Sequence, residues 1–204
     1  MIKIIDYGVG NIKAFVNLYK RLGVEIEIAY DNKSLINASK LILPGVGHFD
    51  YAMNKFAESG MMNTVNNLVL NKKVPVLGIC VGMQIMAKSS DEGSKKGLGW
   101  IDAHVKKIDT NNNNLRLPHM GWNNIIINKN DNILKNLDNY SRFYFLHSYF
   151  FDCENESNII AYSSYGLNFP SIIRQDNIIG IQCHPEKSHE FGEQILKNFF
   201  DLNA

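Results

Sequence analysis

The chain has few of the residues that staple proteins together. Only 3 of its 204 residues are cysteine, at positions 80, 153 and 183, and no two are close in sequence. Such spacing argues against a disulfide framework and against a zinc site, and a reduced, cytoplasmic setting follows as the expectation. A surplus of one charge is also missing, with 21 Lys plus Arg against 20 Asp plus Glu. No global field therefore invites nucleic acid or a membrane surface. Long hydrophobic runs are absent as well, since nothing approaches the ~20 apolar residues of a membrane span. The opening Met1-Ile-Lys-Ile-Ile-Asp6 reads as a strand, its apolar run being too short for a secretory leader. Internal repeats and linkers are not found either, and no metal or cofactor is expected.

What remains is ordinary globular material, 45% hydrophobic and 20% charged. Its length suits one domain over residues 1–204 with a substantial core. Asparagine is abundant, and the run Asn111 to Asn114 reads as a loop. The first half alternates strand and helix: strands over Ile2–Asp6, Val24–Ala29, Leu41–Leu43 and Val74–Ile79, helices over Ile12–Leu22, Tyr51–Glu58 and Met61–Lys72. This order predicts βαβ units and a largely parallel sheet. Then Trp100–Ile108, Gly121–Asn128, Arg142–Phe151 and Asn158–Ser163 read as shorter strands of an antiparallel patch. Ile178–Cys183 is the last strand and Phe191–Phe200 the closing helix. The expected fold is α/β, with a mostly parallel central sheet flanked by helices and a smaller antiparallel patch.

The segment Val74-Pro-Val-Leu-Gly-Ile-Cys80-Val-Gly-Met-Gln-Ile-Met-Ala-Lys88 carries the chemistry. An apolar strand leads into a cysteine, and the spacing of Val81, Ile85 and Met86 predicts an amphipathic helix after it. Gly78-Ile-Cys-Val-Gly82 has the form of a nucleophile elbow, in which the reactive residue sits on the sharp turn from strand to helix. A thiol at a helix N-terminus ionises more readily than a free one. A buried core cysteine would need neither glycine. After the last strand comes Gln182-Cys-His-Pro-Glu-Lys-Ser188. Reactive groups of open α/β sheets gather beyond the carboxyl ends of the strands, so His184 and Cys80 can meet there. His184 would take the thiol proton, and Glu186, past the rigid Pro185, would orient the imidazole. Five other histidines compete for the role of base.

These two motifs together resemble the class I, or triad, glutamine amidotransferases. The resemblance covers nearly the whole chain and implies that Cys80 attacks the side-chain amide of L-glutamine, with His184 as base and Glu186 as its orienter. Further stretches resemble those family members that work as glutaminase subunits in histidine biosynthesis: Asp6-Tyr-Gly-Val-Gly-Asn11, Leu43-Pro-Gly-Val-Gly-His-Phe49, Gly97-Leu-Gly99, Pro118-His-Met-Gly-Trp-Asn123 and Phe145-Leu-His-Ser-Tyr149. That likeness implies a heterodimer with a (β/α)8-barrel synthase subunit that receives the ammonia.

The tetrahedral oxyanion formed by the attack needs N–H donors. The Val81 N–H is one, and by resemblance the loop of Gly45, Val46 and Gly47 supplies another and helps hold substrate. Gln84, His147, Ser148 and Tyr149 are the implied substrate contacts. Asn11, Trp122, Tyr144 and Lys187 correspond to the family's partner interface and ammonia gate. Asn11 also fits a helix cap, and the two aromatics also fit a core. Cys183 departs from the phenylalanine more usual before the histidine, and strand alternation points it away from His184 into packing. His48-Phe49 departs from the small residues more usual after the loop. Two alternatives remain at this point: a paralogous ammonia supplier for a sugar amidotransferase in surface-glycan synthesis, and a non-catalytic binding module on the same fold.

Overall fold

The computed structural model describes residues 1–110 and 115–202; the asparagine run at 111–114 lies outside them. Short β-branched runs form β1 (Ile2–Ile5), β2 (Ile26–Ala29), β3 (Lys40–Gly45) and β4 (Val76–Cys80). Every residue of β1 and β4 is buried, as in strands covered on both faces. Between them lie α1 (Ile12–Arg21), α2 (Phe49–Glu58) and α3 (Met62–Asn66), the last continuing as a π-turn over Asn67–Asn71. After β4 come α4 (Val81–Gln84) and β5 (Ser89–Ser90), then β6 (Ala103–Lys107), β7 (His119–Asn124) and β8 (Ile126–Ile127). The rest is β9 (Arg142–His147), β10 (Tyr149–Cys153), β11 (Ile159–Ser164), β12 (Asn168–Gln175), β13 (Ile178–Ile181) and α5 (His189–Asp201).

The main sheet runs β2-β1-β3-β4-β13-β12-β11-β8. Its first five strands are parallel, and the last three are added antiparallel. Two small sheets, β10-β6-β5 and β7-β9, complete the α/β fold. Register places Gly45 beside Cys80 and Ile79 beside Ile181. The carboxyl ends of β3, β4 and β13 are thus neighbours, and the chemistry-bearing loops leave from one edge.

Three expectations are corrected. The helix after Cys80 is a single turn, and all four of its residues are buried, so no amphipathic helix reaches Lys88. Backbone N–H groups of Leu98, Gly99 and Trp100 bond the carbonyls of Ile85, Ala87 and Met86, and these take the place of further helical turns. The expected strand Arg142–Phe151 breaks at Ser148 into β9 and β10, which belong to different sheets. The expected smaller antiparallel patch is present in the pairs β7-β9 and β10-β6, while β8, β11 and β12 extend the main sheet. Finally, β12 has no counterpart in the sequence reading. It carries Pro170 in register with Tyr162 of β11, next to an irregularity between Ala161 and Tyr162, which fits the confinement of strand prolines to interrupted ladders.

Candidate active site

Cys80 ends β4 with φ 54 and ψ −113, a conformation costly to a residue with a side chain. The flanking packing forces it. A Cβ on Gly82 would overlap the Leu43 carbonyl oxygen, and one on Gly45 would overlap the Gly82 amide nitrogen. β3 and the first turn of α4 therefore touch backbone to backbone, which lifts the thiol out of the sheet edge.

His184 follows β13 and is held by its own backbone. Its N–H donates to the Tyr144 carbonyl at 2.8 Å, while its carbonyl accepts from Ser188 Oγ at 2.6 Å. Pro185–Lys187 forms a 3-10 turn that brings Glu186 back beneath the ring. Nδ1 of His184 lies 2.9 Å from Glu186 Oε1, and both side chains are buried. With Nδ1 so occupied, Nε2 is left for Cys80, which lines the same cavity. Burial alone would lower the imidazole. The interaction with a negative charge at Cys80 and the hydrogen bond to Glu186 outweigh it and push His184 up to about 10. An imidazole beside a thiol and a buried carboxylate is a base for nucleophilic attack.

The thiol opens into a cavity of about 290 Å³ lined by Val46, Gly47, Val81, Gln84, His147, Ser148, Tyr149 and His184 among others. Most of the expected oxyanion and substrate residues therefore share one cleft. Gly45 lies beneath its wall, packed on Val81 and Gly82. Val46 is exposed, and Gly47 has φ +89, which glycine tolerates. Tyr7 Oη donates to the Pro44 carbonyl at 2.7 Å, bracing this loop from below.

Two expected contacts have a more specific geometry than the motif conveys. Gln84 is buried, and Nε2 donates to both the Tyr149 carbonyl (2.9 Å) and Gln182 Oε1 (3.0 Å). Only its oxygen remains for a ligand. His147 Nδ1 donates to the same carbonyl at 2.8 Å, and its Nε2 accepts from His119 Nδ1 at 3.0 Å. Burial drives His147 down to about 3 and His119 down to about 4. These histidines are neutral spacers in the wall and carry no charge toward substrate.

Glu92 is a site residue that the sequence reading missed. It follows β5 and lines the cavity, and its Oε2 accepts the Phe49 N–H at 2.8 Å. Burial raises its carboxyl despite that bond. No local motif marks it, because its partners come from α2 and its position from a turn. A carboxylate here can hold a cationic ammonium group of a ligand.

Three of the four residues expected at a partner face cluster around the Tyr144 ring. Lys187 Nζ sits 5.4 Å from the Tyr144 ring centroid, and Trp122 meets the same ring edge-on at 6.2 Å. Trp122 also stacks on His189 at 5.1 Å and 9°. Trp122 and Met120 are exposed, so Trp122 is not a core aromatic. Asn11 is exposed and caps α1, accepting from the Ala14 N–H at 3.3 Å. Cys183 is fully buried, and burial followed by the Glu186 charge raises its thiol well above the ordinary range.

A cysteine on a strained strand-to-helix turn, paired with a His–Glu couple over a small cleft, defines a triad amidohydrolase on a parallel α/β sheet. Residues 3–202 match the glutamine amidotransferase class-I family. The imidazole glycerol phosphate synthase subunit HisH of Leptospira interrogans is 49% identical over 204 residues, 99% of this chain and 100% of the relative. That of Bdellovibrio bacteriovorus is likewise 49% identical with the same coverage. Among solved structures, a glutamine amidotransferase superposes with TM-score 0.76 at 20% identity, covering 98% of this chain and 97% of its own. PurLQS from Thermotoga maritima gives 0.74 at 16% identity, with the same two coverages. The chain belongs to the class-I glutamine amidotransferases and, within them, to the HisH subunits of imidazole glycerol phosphate synthase.

Proposed function

We propose that residues 1–204 act as one glutamine amidotransferase domain, the glutaminase subunit of an imidazole glycerol phosphate synthase. The observation that carries this reading is the buried His184–Glu186 pair, with His184 lining the same small cleft as Cys80. In the reaction, His184 Nε2 accepts the thiol proton and Cys80 Sγ attacks the δ-carbonyl carbon of L-glutamine. The carbonyl oxygen becomes an oxyanion facing the Val81 N–H and the Val46–Gly47 segment. Collapse expels ammonia, which takes its proton from the imidazolium. Water, deprotonated by the same ring, then cleaves the thioester and frees glutamate.

Ser148, Tyr149 and Gln84 Oε1 hold the amino-acid end of the substrate, and Glu92 is placed for its ammonium group. The ammonia passes to a (β/α)8-barrel synthase subunit docked on Asn11, Trp122, Tyr144 and Lys187. That subunit would make imidazole glycerol phosphate and aminoimidazole carboxamide ribotide. A cytoplasmic setting accompanies this reading; it agrees with three unpaired, buried cysteines, and among the described residues no helix is long and apolar enough to cross a membrane.

The test is glutamate release by this chain alone and with the ligand-bound partner subunit. A glutaminase serving a partner is expected to work slowly alone and far faster in the complex. Equal, high rates in both conditions would contradict the coupled reading.

A further inference from the structure

Gln182, between β13 and His184, is fully buried, and the triad as described gives it no task. Its side chain lies against the nucleophile. Nε2 is 3.7 Å from Cys80 Sγ, and Oε1 accepts from Gln84 Nε2 at 3.0 Å. The polarity of this chain of bonds is dictated by one backbone atom. The Tyr149 carbonyl can only accept, so the nitrogen of Gln84 must face it. The same nitrogen then gives its second proton to Gln182 Oε1, which turns the nitrogen of Gln182 toward sulfur. His147 Nδ1 donates to that carbonyl from the other side and helps hold it in place.

A buried amide N–H aimed at a neutral thiol gains little, because that sulfur is a weak acceptor; a thiolate is a strong one. The sulfur also has a partner for its protonated form, since it lies 3.9 Å from the Leu146 carbonyl oxygen, to which an S–H can donate. Once the proton leaves for His184, that carbonyl offers nothing to the anion, and Gln182 supplies a donor already in place.

We propose that Gln182 is a catalytic residue that donates its side-chain N–H to the Cys80 thiolate, with Gln84 and the Tyr149 carbonyl fixing its orientation. The proposal rests on Cys80 being the nucleophile. A donor to an anion stabilises it enough to move an ionisation midpoint by about one pH unit. A residue that only fills space would leave the midpoint where it is.

The experiment measures iodoacetamide alkylation of Cys80 against pH in the full chain, by mass spectrometry of the Cys80 peptide. Wild type is compared with Gln182→Met and Gln182→Leu, two apolar replacements without a donor, and whichever folds is decisive. The midpoint is expected to rise by about one pH unit. In the complex with the partner, kcat for glutamine should fall about tenfold while KM changes far less. An unchanged midpoint in a folded variant overturns the role of Gln182. A wild-type Cys80 that is alkylated no faster than Cys153 and Cys183 overturns the nucleophile assignment itself, so the two failures are distinguishable.

Discussion

Glu186 Oε1 lies 2.9 Å from His184 Nδ1, across a single intervening proline, with both side chains withdrawn from water. The bond sets the tautomer: Nδ1 carries the proton toward Glu186 and Nε2 faces the thiol. Glu186→Gln keeps the shape and removes the charge that favours imidazolium. We expect kcat for glutamine to fall by a hundredfold or more, on the order of the 10²–10⁴ associated with a positioned acid–base group, with KM little altered. Steady-state kinetics in the complex would check this. A variant with wild-type kcat would remove Glu186 from the mechanism.

The backbone contact between β3 and α4 predicts a steric failure at Gly82. Its added methyl would overlap the Leu43 carbonyl, which cannot swing away as a flexible side chain could. Gly82→Ala should destabilise the fold by about 1–3 kcal/mol and displace Cys80 from the cleft. Urea unfolding, together with glutaminase assays of the folded fraction, measures both. Unchanged stability would show that the two segments are not pressed together.

Stability should depend on pH through His147. Its ring sits at about 3 in the folded protein and about 6.5 when unfolded. Above pH 6.5 both states are neutral and stability is full. As pH falls below 6.5, the unfolded chain takes up a proton that the folded chain refuses, so stability drops until the folded ring itself protonates. The slope from this residue is at most about 1.4 kcal/mol per pH unit. Urea midpoints at pH 7, 6 and 5 would reveal it, and His147→Gln should make the curve shallower, leaving the share of His119, which burial holds at about 4. A wild-type protein equally stable at pH 7 and 5 contradicts the burial argument.

Trp122 stacks on His189 yet remains exposed, and it belongs to the proposed docking face. Trp122→Ala should weaken binding of the synthase subunit by tenfold or more, a loss typical of an interface aromatic, and change the melting temperature little. Calorimetric titration with the partner subunit is the check. Unaltered affinity would place the interface elsewhere.

Much of this was legible in the sequence because it is local. Ile2–Ile5 and Val76–Cys80 are buried on both faces and show the continuous apolar runs of such strands. Gly78 of the elbow has its close contacts nearby in sequence, with Met86 and Gly82, although Gly82 itself is needed against Leu43 of β3; His184-Pro-Glu186 closes its pair inside one 3-10 turn. The failures are non-local. Ser148 splits an apolar run because β9 pairs with β7 and β10 with β6, a choice made by distant strands. The turn after Gln84 gives up its helical pattern to bond the segment around Leu98–Trp100. Glu92 reaches the cleft through the amide of Phe49, more than forty residues away. Gln182 stood inside a quoted motif, yet its role depends on Gln84 and Cys80 arriving from another strand.

In the proposed reaction Cys80 opens the glutamine amide for a partner synthase. The direct measurement is product formation by the complex carrying Cys80→Ala, assayed once with glutamine and once with ammonium salt as nitrogen donor. No glutamate release and no product are expected with glutamine, alongside undiminished synthesis from ammonia. Glutamine-dependent turnover that survives the substitution would contradict it.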